Sequence, residues 1–119
     1  MSHLSTADVL RRFNDVFLNH DPGPLTELVA EDCVIEGTRP APDGERFVGR
    51  EACIARWTQV ATTPDTFFVS EDVIVLGDRG ILLWRFHRGP DGTSSVRGVN
   101  LMRVRDGRIV EALGYVKGA

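Results

Sequence analysis

The sequence predicts an α+β fold in which three N-terminal helices pack on one face of a curved antiparallel sheet. Three observations carry that prediction. Apolar residues recur at helical spacing through the first half of the chain. Runs rich in β-branched and aromatic residues, separated by turn residues, fill the second half. Helices precede strands instead of alternating with them, which segregates the two classes into layers.

The elements follow in order. Ser5-x-x-Asp8 is a capping box set just before an apolar run. Val9, Leu10, Phe13, Val16 and Phe17 then share one helical stripe. The segment from Asn19 to Pro24 breaks that helix and offers Asp21 as the next cap. Leu25, Leu28 and Val29 mark a second, shorter helix ending near Asp32, and Cys33 to Glu36 reads as a strand. Thr38 to Gly49, with Pro40, Pro42 and Gly44, is too rich in breakers for an element and reads as a polar loop. Ile54, Trp57 and Val60 mark a third helix from about Arg50 to Ala61. Four long strands complete the chain as a meander, at Phe67–Leu76, Ile81–His87, Val96–Val104 and Arg108–Val116. Their turns are Gly77-Asp78-Arg79-Gly80, Pro90-Asp91-Gly92 and the two-residue hairpin signal Asp106-Gly107.

Composition limits the function classes. At 119 residues, with 42% apolar and 26% charged, residues 1–119 form a single domain. A net charge of −3 gives no nucleic-acid footprint. No apolar run approaches the roughly 20 residues of a membrane helix, and Met1 to Ser5 shows no secretory signal, so a cytoplasmic protein is expected. Thirteen of the 14 basic residues are Arg, which reads as codon usage in a GC-rich, bacterial genome. Cys33 and Cys53 lack a CxxC partner and read as two buried free thiols. His3, His20 and His87 are too scattered for a metal site, and no phosphate-binding loop, GxSxG or HExxH occurs. No metal and no cofactor are expected.

Ile81-Leu82-Leu83-Trp84 and Val99-Asn100-Leu101-Met102 are apolar at odd and even positions alike. A half-solvated strand would alternate, so both faces of the sheet are expected to be covered. The helices cover one; a second copy of the chain is expected on the other. The alternative is a monomer whose outer face is shielded by the stems of Arg97, Arg103 and Arg105.

Three segments carry a resemblance. They are Leu28 to Gly37, Phe47 to Glu51, and Gly98 to Ile109 with its Arg105-Asp106-Gly107-Arg108 turn. Together they resemble the nuclear transport factor 2-like superfamily, in its SnoaL-like and ketosteroid isomerase-like branch. The resemblance covers nearly the whole chain and implies a cone-shaped sheet wrapped around three helices, an internal pocket and a homodimer through sheet faces. Position by position, the isomerases' general base falls on Gly37, their tyrosine on Phe13 and their protonated aspartate on Asn100. Glycine moves no proton, so the isomerase route is not expected; an Asn amide still donates to a carbonyl oxygen. SnoaL-type cyclases use a cavity carboxylate that maps to no residue here. The Asp-Arg-Asp set of epoxide hydrolases is also unreadable.

With Asn100 facing inward, alternation turns Val96, Gly98, Met102 and Val104 inward as well. Leu82, Trp84 and Phe86 form the inward set of the preceding strand, and Ala112, Gly114 and Val116 that of the last. The expected pocket comprises Phe13, Phe17, Ile35, Gly37, Trp57, Trp84, Phe86, Gly98, Met102, Ala112 and Val116. The small residues leave space. Such a site suits a small apolar molecule. Asn100 would contact ligand or make a structural hydrogen bond. Glu36 and His87 are the candidate proton carriers, although their register turns both outward toward a rim or an interface. The expected function is binding of a small hydrophobic molecule, with cofactor-independent cyclisation, isomerisation or hydration of a carbonyl-bearing substrate as its catalytic form. The alternative is a non-catalytic dimerisation module with a vestigial pocket.

Overall fold

The computed structural model describes residues 3–118. Helix α1 (Thr6–Leu18) starts where the Ser5 side chain accepts the Asp8 N–H at 3.1 Å, and it buries the five predicted stripe residues. α2 (Leu25–Leu28) is a single turn that leads directly into β1 (Val29–Glu36). The helix expected to reach Asp32 therefore stops four residues earlier. Val29 is already extended and pairs with Ile109, so sheet pairing overrides a spacing that suits either structure. β1 carries an irregularity between Val29 and Val34, which hides its alternation.

The loop expected from Thr38 to Gly49 contains a short strand, β2 (Arg46–Val48), paired antiparallel to the end of β1. Three residues are too few to show a period. α3 (Arg50–Thr62) follows, then β3 (Thr66–Leu76), β4 (Arg79–Arg88), β5 (Ser94–Arg105) and β6 (Arg108–Val116). The sheet order is β2-β1-β6-β5-β4-β3. β3 to β6 form the predicted meander, and the Asp106-Gly107 hairpin has both residues at positive φ. β1, however, lies parallel to β6, so the sheet is mixed rather than wholly antiparallel. No hairpin links those two strands; α3 and four strands intervene, and a connection that long permits parallel pairing.

Register gives the fold a closed and an open end. At the closed end, Leu10 packs directly on Gly80, beside Met102, Val104 and Ile109, all at most 5% exposed. At the open end, β3, β4 and β5 extend past the end of β1 through the row Thr66, Arg88 and Ser94. Bulges at Ser70/Asp72 and Arg103/Val104 bend the strands around the helices. Among the described residues, no helix is long and apolar enough to cross a membrane.

Candidate ligand cavity

Between the inner sheet face and helices α1 and α3 lies a cavity of about 420 Å³. Phe13 and Phe17 reach it from α1, Trp57 and Val60 from α3, and Ile35 from β1. Phe68, Leu82, Trp84, Phe86, Ala112 and Val116 supply the sheet wall. The aromatic rings brace one another edge to face. Phe13 meets Trp57 at 4.8 Å and Phe17 at 4.9 Å; Phe68 meets Phe17 and Trp84 at 5.5 Å each. Such contacts fix ring orientation, so the walls hold the space open.

One polar group in this wall has a determined orientation. Trp84 Nε1–H donates to Asn100 Oδ1 at 3.3 Å. An indole N–H can only donate, so it must face the amide oxygen. The Asn100 Nδ2 group then points away from Trp84 with its hydrogens unclaimed by these bonds. Gly114, paired with Asn100, leaves room beside it; a Cβ there would stand 3.4 Å from Oδ1 and 3.0 Å from the Thr38 methyl. The sequence allowed Asn100 a ligand contact or a structural bond, and the geometry permits both through its two amide atoms.

Other expected site residues fall differently. Phe13, Phe17, Ile35, Gly37, Trp57, Trp84, Phe86, Ala112 and Val116 line the cavity. Gly98 does not. The Trp84 ring lies over it, with Cη2 and Cζ2 only 2.6 and 2.7 Å from where a Cβ would stand, so the space it was expected to leave is filled. Met102 is 1% exposed and packs in the core at the closed end. Glu36 lies at the rim, its carboxylate 3.6 Å from Arg46 on the paired strand. His87 is on the opposite face of β4. Its ring stacks on Phe67 at 4.4 Å, and Nδ1 lies 3.1 Å from the Gly92 carbonyl oxygen. Asn100 and Glu36 thus share the cavity lining, whereas His87 lies apart from both.

Several lining residues lay beyond the sequence reading. Phe68 was missed because no anchor fixed the facing of β3. Asn14 of α1, which donates to Ser70 Oγ at 3.3 Å, adds a polar bridge within the lining. Thr38, Arg39, Arg56, Gln59, Thr63, Thr66 and Arg88 also line the cavity. Alternation beyond Leu82, Trp84 and Phe86 was the available signal for Arg88. Among the described residues, no three His, Cys, Asp or Glu side chains gather into a metal-binding group. Cys33 and Cys53 are buried where β1 meets α3, with Cys53 Sγ 3.4 Å from the Cys33 carbonyl oxygen. Burial pushes both thiols up, Cys33 the further of the two.

A small α+β domain whose curved sheet and helices surround an apolar cavity has the architecture of a cone-shaped NTF2-like fold. Residues 10–112 match the SnoaL-like domain, and the chain belongs to that family. Its fold is shared with an NTF2-like protein of unknown function from Mesorhizobium loti, at 61% identity over 95% of this chain and 91% of that one, with a TM-score of 0.90. A candidate SnoaL-like polyketide cyclase from Jannaschia sp. CCS1 is 19% identical over 94% and 85% of the two chains, with a TM-score of 0.75. A candidate ketosteroid isomerase from Kribbella flavida is 21% identical over 96% and 78%, with a TM-score of 0.79. At those identities the likeness is one of fold alone. No curated protein matches the chain.

Proposed function

We propose that this protein binds a small, apolar, carbonyl-bearing molecule in the cavity, with the Asn100 amide donating to the carbonyl oxygen. The Trp84–Asn100 hydrogen bond carries this reading, because it turns the only amide on the inner face of β5 into an aimed donor within aromatic walls. The names of the Jannaschia and Kribbella proteins fit carbonyl chemistry. A cyclase or isomerase also needs a proton acceptor within hydrogen-bond reach of its substrate. Glu36 is the only carboxylate residue in the lining, and Arg46 engages it at the rim. Binding and carbonyl polarisation are therefore favoured over proton transfer.

The test is thermal unfolding across a panel of aromatic and polycyclic ketones, each paired with the hydrocarbon lacking the carbonyl. Ketones at a hundredfold excess over Kd should add about 2.7 kcal/mol to stability. Asn100→Ala should weaken ketones by about tenfold, the upper part of the range for one neutral hydrogen bond, and leave the hydrocarbons unchanged. No stabilisation by any ketone, or equal losses for both series, refutes the reading.

A second copy of the chain is the occupant we propose for the outer sheet face. Ile81, Leu83, Val99, Leu101 and Leu113 lie on the side opposite the cavity, on three adjacent strands. The ion pairs of that face are internal, with Glu71 at 3.0 Å from Arg97 and 3.8 Å from Arg85. A face with apolar surface, whose Glu71 is already paired within the chain, suits an isologous contact.

A further inference from the structure

We infer that the ligand is an acid as well as a ketone, with a carboxylate held at the mouth by Arg39, Arg56 and Arg88. This rests on the ligand reading above and specifies its chemical class. Six arginines of the chain (11, 46, 79, 85, 97 and 105) form ion pairs with carboxylates. The other seven form none with any described residue; three of those, Arg39, Arg56 and Arg88, line the cavity, and of these Arg56 and Arg88 are half-buried. They reach the same opening from separate elements, namely the loop after β1, helix α3 and the end of β4.

Arg88 stands in the inward set of β4, one pair beyond Phe86, where the sheet extends past β1. The Arg56 guanidinium is held by Gln59 at 3.2 Å and lies 5.5 Å from the centre of the Phe47 ring. The single acid of the lining, Glu36, is matched by Arg46. The mouth therefore carries unopposed positive charge beside an apolar interior. Guanidinium groups match carboxylates in geometry and strengthen on partial desolvation.

The spacing orders the ligand. Asn100 pairs with Leu82, and Arg88 lies six residues farther along the same strand, about 20 Å at full extension. A guanidinium folding back over the mouth shortens that span. The ligand is thus an elongated aromatic body with a ketone at the buried end and a carboxylate at the open end.

Calorimetry on three probes tests this: a biphenyl bearing acetyl and carboxylate groups at opposite ends, its methyl ester, and acetylbiphenyl. The acid should bind about tenfold more tightly than the other two, and this margin should shrink as salt rises to about 0.5 M. Arg88→Gln and Arg56→Gln should each erase most of the acid's margin over acetylbiphenyl, and an unchanged far-ultraviolet circular dichroism spectrum reports that the variants fold. If ester and ketone bind as well as the acid, the carboxylate assignment is overturned and the ketone reading survives. If none of the three binds, both fall.

Discussion

Gly98→Ala tests how the polar anchor is held. The residue lies in β5 opposite Trp84, and the indole ring occupies the place a side chain would take. An added Cβ would stand 2.5 Å from the Tyr115 carbonyl oxygen and 2.6 Å from Trp84 Cη2. Real Cβ atoms do not approach so closely, so something must move. The carbonyl belongs to the neighbouring strand and yields little; the indole can tilt, but only against Phe68 at 5.5 Å. Overpacking typically costs 1–3 kcal/mol, and with two such contacts the expected loss is about 2–3 kcal/mol. For a domain of this size that lowers Tm by about 10 °C. Urea unfolding followed by far-ultraviolet circular dichroism measures it directly. Displacing the indole should also release Asn100, so ketone affinity should fall with stability. Trp84→Phe removes the outer ring atoms, and in that background Gly98→Ala should cost less. A loss below about 0.5 kcal/mol, within the range of ordinary surface changes, would refute the packing argument.

Other consequences are simpler to measure. Cys33 and Cys53 have thiols raised by burial, so iodoacetamide at neutral pH should leave the native protein unlabelled and modify both only in denaturant. Asp32 is held below the usual carboxylate range by the Arg105 guanidinium, which it meets at 2.7 and 3.0 Å. That contribution is complete above the ordinary carboxylate range and fades as pH falls through the lowered value. Asp32→Asn should therefore be less stable than the parent at neutral pH, with the gap closing in acid; a gap independent of pH would dismiss the pair. Sedimentation should give about twice 13.2 kDa at micromolar concentration, and Leu101→Lys should halve it.

The legible parts of the fold are those written in local pattern. The α1 stripe, its Ser5 cap and the Asp106-Gly107 hairpin each depend on neighbours within a few residues, and the structure keeps all three. The misread parts depend on partners far along the chain. Val29 continues a helical spacing, and only Ile109, eighty residues away, makes it a strand. β2 exists because β1 offers it an edge, which three residues between breakers cannot announce.

The cavity divides along the same line. Alternation from one anchor, Asn100, turns Leu82, Trp84 and Phe86 to the cavity wall, since the meander register is set by short turns. Alternation gives a facing and not a rotamer, however. A glycine facing inward was therefore expected to leave a void, whereas the largest side chain on the adjacent strand lies across it. The same rotamer brings the indole N–H to Asn100, so the residue that closes one space also aims the amide. Arg39, Arg56 and Arg88 share no local pattern either, and only the folded sheet end gathers them. A polar site in a cone of this kind is therefore written in the contacts between strands more than in any motif along one of them.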